Sequence, residues 1–142
     1  MTPNTTPTRT PALLLSREIH DAMIAHCLRE SPREACGILG GVAPVVSEFF
    51  PLRNVLESPT RYEADPKQVI DAVVKLRAIS GEILAIYHSH PKFAAVPSVA
   101  DLTMNYYGEL PRIIVSLLSK PADVRVWILR EDSFEEIFAR II

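Results

Sequence analysis

The sequence predicts a single α/β domain, one mixed β-sheet flanked by helices, and three observations predict it. The chain has 142 residues, of which 48% are hydrophobic, enough to bury one core without staples. Its apolar positions change along the chain from a helical period to short β-branched runs. The segments so read follow the order α-β-β-α-β-α-β-β with no internal repeat, which suits helices layered on one sheet.

Residues 16–29 read as the first helix. Ile19, Ala22, Met23, His26 and Cys27 form one stripe at i, i+3, i+4, i+7 and i+8. Ser16 suits an N-cap, and Ser31-Pro32 ends the helix. "EACGILGG" then reads as a strand with glycines at its turn, and "VVSEFFPL" as its partner. Residues 53–64 form a loop. The second helix has Asp65 as N-cap, Pro66 at its first position and Gln68 placed for a capping box. Val69, Ala72, Val73, Leu76 and Ile79 or Ser80 form its stripe, and Gly81 stops it. "EILAIY" is a buried strand that runs directly into His88. A short helix follows Ser98 and ends near Gly108. "RIIVSLLS" and "VRVWILR" are two more strands joined by a Lys120–Asp123 turn. The closing "FEEIFARII" fits a helix or a strand, and its β-rich composition favours a strand.

Composition excludes several functions. A net charge of −2 leaves no basic footprint for nucleic acid and no polybasic patch for a membrane. The apolar runs are too short for a membrane span. Residues 1–12 are Thr- and Pro-rich, lack a signal-peptide core and are expected to be a disordered tail before a domain over residues 13–142. Two cysteines make no disulfide framework, which points to reduced thiols and a cytoplasmic location.

The chemistry concentrates in "YHSHPKFAAVPSVADL", residues 87–102. Side chains alternate along a strand, so His88 and His90 share a face and Ser89 takes the other. Asp101 lies eleven positions after His90, on a segment that can fold back (101 − 90 = 11). Two imidazoles and one carboxylate make three protein ligands, and a fourth, open position is the mark of a catalytic zinc. Taken alone, His-x-His is as compatible with coincidence as with a metal site. Ser98-x-x-Asp101 is also a capping box, and the two readings are compatible. Cys36 and Cys27 suit small buried residues, since a nucleophilic thiol needs a basic neighbour. His26 reads as a packed helix residue, and His20, off the stripe, as exposed.

The stretch resembles the signature of the JAMM (MPN-plus) metallopeptidases: a glutamate, then His-x-His, seven residues, Ser, two residues and Asp. His88-Ser89-His90, Ser98 and Asp101 match it without departure, and Glu34 in "PREACGILGG" matches the upstream glutamate. "RNVLESPTRYEADP" is similar to a loop of the short prokaryotic members, and the resemblance runs from about Leu13 to Leu129. It implies a cytidine-deaminase-like JAMM/MPN domain. It also implies zinc on His88, His90 and Asp101, with Glu34 as general base and acid and Ser98 as oxyanion partner. Glu34 precedes His88 by 54 residues (88 − 34 = 54), so only the folded sheet can bring them together.

The implied activity is hydrolysis of an amide bond after the Gly-Gly tail of a ubiquitin-like or sulfur-carrier protein, including release of cysteine from such a tail. An extended tail is expected to bind as an added strand beside the one carrying the histidines. A non-catalytic MPN scaffold is the alternative, although such relatives typically lack a ligand. A zinc deaminase would carry His-x-Glu and Pro-Cys-x-x-Cys, neither of which occurs here. A homodimer is compatible with the sequence, as is a monomer.

Overall fold

The computed structural model describes residues 10–142; the expected disordered tail lies, through residue 9, outside the described residues. Eight strands form one mixed sheet in the order β7-β6-β5-β4-β2-β3-β1-β8. In chain order the elements are β1 (Leu13–Leu15), α1 (Arg17–Glu30), β2 (Cys36–Val42), β3 (Val45–Leu52), α2 (Pro66–Ala78), β4 (Glu82–His90), α3 (Val99–Thr103), β5 (Arg112–Ser116), β6 (Asp123–Leu129), β7 (Phe134–Ile137) and β8 (Ala139–Ile141). The order expected from periodicity is present, with β1 added at the start. Three residues are too few to show a period, so β1 was not legible.

Helix α1 packs on one face of the sheet. Met23 and Cys27 meet Leu39, Tyr87, Ile113 and Val115 in the main core. The opposite face carries two smaller clusters. One sets Ala72 of α2 against Cys36, Ile38 and Ile86, and the other joins Ala95, Ile114, Trp127 and Leu129. From Ala85 onward, residues of β4 therefore alternate between two different interiors.

Four local expectations are corrected. The glycines of "CGILGG" lie within β2 rather than at its turn. The Tyr87 ring crosses Gly37, where a Cβ would come within 2.1 Å, and Gly41 has a φ of 152° at a bulge. The turn is Ala43-Pro44 instead. Gln68 forms no capping box: Asp65 accepts from Lys67 N–H, while Gln68 Oε1 accepts from Arg53 N–H. Helix α2 ends with Ser80, not Gly81, in the left-handed region, at a φ of 57°. Ser80 N–H reaches Arg77 O and Gly81 N–H reaches Leu76 O at 2.8 Å, a Schellman pattern that leaves Ile79 exposed. Helix α3 stops at Thr103, well before Gly108, because Asn105 turns the chain by bonding Gly108 O and Tyr107 N–H.

The final segment is strand, as its composition favoured, but it splits at Phe138. Strand β7 pairs with β6 and β8 pairs with β1, at opposite edges of the sheet. One residue separates them, so the edges must lie within about 7 Å of each other. The sheet is thus curled around α1, and Ala12 N–H donates to Phe138 O across the junction. No helix of the described residues is long and apolar enough to cross a membrane.

Candidate metal centre

The β4/β5 pair is parallel and ends at His90 and Ser116, and the carboxyl end of a parallel strand is where open α/β sheets place their sites. His88 and His90 project from this end into the face shared with α2 and α3, both buried. Ser89 points to the other face, where its Oγ accepts from Ala35 N–H at 2.8 Å. That bond and Ser89 N–H to Ala35 O at 3.0 Å hold the segment before β2 beside β4. Glu34 is thereby brought to the same end of the sheet.

Helix α3 brings the carboxylate. Ser98 Oγ accepts from Asp101 N–H at 3.0 Å, and Ser98 N–H donates to Asp101 Oδ2 at 2.9 Å, completing the expected capping box. The same carboxylate faces the imidazoles. Asp101 Oδ1 lies 3.0 Å from His88 Nε2, Oδ2 lies 3.1 Å from His90 Nε2, and the two Nε2 atoms are 3.3 Å apart. Donor atoms held at about 2.0–2.1 Å around a tetrahedral zinc are about 3.3 Å from one another, so the cluster has the dimensions of such a site. His90 Nδ1–H donates to Ala94 O at 2.8 Å, which leaves the Nε2 lone pair facing the cluster. Among the described residues this is the group of His, Cys, Asp and Glu side chains spaced to hold a metal ion.

The electrostatics follow from burial. Burial by itself would raise the Asp101 carboxyl, but the two imidazoles and the Ser98 N–H outweigh it and hold the group well below the usual carboxylate range. Burial lowers His90, and the Asp101 hydrogen bond overrides it, so the net shift is upward. Glu34 is 2% exposed, and burial, reinforced by the negative charge of Asp101, pushes its carboxyl up to about 8. Its Oε1 has no hydrogen-bond partner. Glu34, His90 and Ser98 line one cleft of about 480 Å³, whose walls include Phe93, Val96 and Val99.

The structure therefore brings all five sequence-derived residues to one place: His88, His90 and Asp101 in contact, Glu34 and Ser98 on the adjoining cleft. The cysteines are buried and free, and burial pushes both thiols up to about 12, which disarms them as nucleophiles. His26 is buried on α1 and bonds Tyr87 Oη at 2.6 Å. His20 is less exposed than expected, at 18%, and pairs with Asp21. Strand addition beside β4 is ruled out, because β2 and β5 occupy both of its edges.

Two supports were missed. Asn54, buried in the loop after β3, donates to Glu34 O and Arg61 O and accepts from Leu56 and Glu63 N–H. One side chain thus shapes the loop and anchors Glu34; nothing in its local sequence marks it. Arg112, 1% exposed, lines a small cavity together with His88. A charge opening the apolar run "RIIVS" was the available signal.

Comparison with known proteins agrees with this geometry. A model of the prokaryotic homologs of the JAB domain matches residues 16–130. The chain is 42% identical over 91 residues to a probable TtuB-protein conjugate cleaving protease of Thermus thermophilus, covering 63% of this chain and 61% of that protein. The alignment thus spans less than two thirds of the relative. A CysO-cysteine peptidase of Mycobacterium tuberculosis is 31% identical over 108 residues, covering 73% of each chain. A protein of Desulfitobacterium hafniense, solved in solution, superposes with a TM-score of 0.85 at 28% identity, covering 92% of each chain. With the His-x-His…Ser-x-x-Asp cluster assembled on a mixed sheet and a family match over residues 16–130, the chain belongs to the prokaryotic homologs of the JAB domain, the short prokaryotic branch of the JAMM/MPN family.

Proposed function

We propose that the chain is a zinc-dependent peptidase or isopeptidase. It hydrolyses the amide bond after the C-terminal Gly-Gly of a ubiquitin-like or sulfur-carrier protein, with release of cysteine from such a tail as one form of the reaction. One observation carries the reading: two imidazole nitrogens and a carboxylate converge beside a buried glutamate that opens onto the same cleft. The named activities of the Thermus and Mycobacterium relatives, conjugate cleavage and carrier–cysteine cleavage, supply the substrate class.

His88, His90 and Asp101 would hold the metal, which when bound would supply a water with its pKa lowered to about 7 and a positive charge to offset that on the carbonyl oxygen. Glu34 moves the proton, taking it from the attacking water and returning it to the leaving amine. Its burial keeps bulk water from competing for that proton, and a nearby cation favours its ionised form. Ser98 Oγ spends a lone pair on Asp101 N–H but keeps its own proton, free for the developing oxyanion. A scaffold would not need this donor set beside an unpartnered buried carboxylate.

The test is a carrier protein extended beyond its Gly-Gly. Cleavage should follow the second glycine, depend on zinc and stop with chelator. Glycine suits a tail that must lie extended close to the metal ligands, so Gly→Val at the last position should reduce kcat/KM severely. A free tail peptide should be much poorer than the whole carrier, because remote contacts position the scissile bond. Equal cleavage of the valine substrate, or of the short peptide, would point to a general peptidase.

A further inference from the structure

The two histidines are supported differently. His90 is oriented by a hydrogen bond from Nδ1 to Ala94 O. His88 is fully buried, yet its Nδ1 has no protein partner. A ligating imidazole ordinarily donates its second nitrogen to an acceptor that fixes the ring. A cavity of about 20 Å³, room for roughly one water, adjoins His88 and Asp101, so close packing alone does not hold this ring.

What lies on the ring is Tyr62, stacked on His88 with centroids 4.6 Å apart and an interplanar angle of 24°. Tyr62 belongs to the loop that Asn54 organises, and a loop aromatic needs an anchor if it is to hold another ring still. Arg112 supplies it. It lines the same small cavity as Tyr62 and His88, which brings its guanidinium charge close to the Tyr62 ring. The same guanidinium donates to Leu110 O at 2.8 Å and to Asn105 Oδ1, and it lies 5.2 Å from the Tyr107 ring centroid. Among the described residues, none of its hydrogen-bond partners is a carboxylate. A buried cation bonded to neutral acceptors is costly, and a well-packed apolar residue would serve stability better. Its position explains it: Arg112 pairs with Ile86 in the β4/β5 register, two residues before His88.

We propose that Tyr62 and Arg112 form a positioning pair that holds the His88 ring in its ligating orientation, doing by anchored stacking what the Ala94 carbonyl does for His90. The proposal rests on His88 being a metal ligand. Arg112 acts through Tyr62, and neither touches the reacting atoms.

The test measures zinc affinity by competition with a chromophoric chelator, and the visible spectrum of the Co²⁺-loaded protein. Tyr62→Leu should weaken zinc binding by about 10–100-fold, the usual effect of losing an outer-shell partner, and should alter the Co²⁺ spectrum. Arg112→Met should shift both readouts in the same direction by less. The double variant should be no worse than Tyr62→Leu alone, because one change acts through the other. Tyr62→Phe retains the ring and should recover most of the affinity lost in Tyr62→Leu, which a general folding defect would not predict. If Tyr62→Leu does not fold, Arg112→Met and Tyr62→Phe carry the test. Wild-type affinity and spectrum in Arg112→Met, or additive losses in the double variant, overturn the pair. His88→Ala is the control: if it keeps stoichiometric zinc, the ligand assignment itself has failed, whereas zinc loss there with an unaffected Tyr62→Leu defeats only the positioning proposal.

Discussion

The two faces of β4 carry polar residues at the same depth and treat them in opposite ways. On the α1 face, Tyr87 Oη bonds His26 at 2.6 Å and Ser89 Oγ bonds Ala35 N–H at 2.8 Å. On the other face, His88 and His90 are crowded nitrogen to nitrogen at 3.3 Å against one carboxylate. The buried side-chain nitrogen and oxygen atoms without a partner, among the described residues, are Glu34 Oε1 and His88 Nδ1, and both belong to this second face. Buried polar groups in a stable fold are normally satisfied, and the exceptions call for a functional reason. The lesson is that burial alone does not separate structural from functional polar residues; the state of their hydrogen bonds does.

The strongest way to break this contrast is at the metal cluster. His88→Ala should leave the protein folded but strip its zinc and lower kcat/KM by several orders of magnitude, since every contribution of the ion goes with it. Elemental analysis alongside turnover checks this, and stoichiometric zinc in the variant would sink the assignment.

Next in size is Glu34→Gln. It should keep zinc and lose about 10²–10⁴-fold in kcat. It should also reverse sign between function and stability. In the metal-free protein burial pushes the Glu34 carboxyl from about 4.5 up to about 8. Between these values the folded chain holds a proton that the unfolded chain has released, so stability falls as pH rises through the window and levels off above it. The glutamine has no proton to lose. The metal-free variant should therefore be more stable than wild type above pH 8, on the order of 2–4 kcal/mol, with the advantage shrinking towards pH 4.5. Urea unfolding in chelator at pH 5 and pH 9 measures it; a difference independent of pH would show that Glu34 is not the destabilising group.

The smallest effect lies on the satisfied face and has the opposite character. Tyr87→Phe removes the hydroxyl that His26 bonds and leaves a buried imidazole nitrogen unpaired. It should cost about 1–3 kcal/mol of stability while zinc content and kcat stay unchanged. A large loss of activity here would mean that the two faces are coupled.

What the sequence by itself determined is what short-range geometry controls. Period-two alternation put His88 and His90 on one face, and a three-residue step made Ser98 and Asp101 a capping box that also presents the carboxylate. The helix stripe of Met23, His26 and Cys27 was legible for the same reason. Tertiary structure decided the rest. Glu34 reaches the cluster because Ser89, on the far face of β4, bonds Ala35, and because Asn54 fixes the loop above it. Tyr62 and Arg112 meet at His88 only because β5 lies parallel beside β4 and the loop folds over both. Strands β7 and β8 are neighbours in sequence yet close opposite edges of the sheet. Each of these depends on strand order and curl, which arise from packing the whole sheet around α1, and no local period in a chain records an order in space.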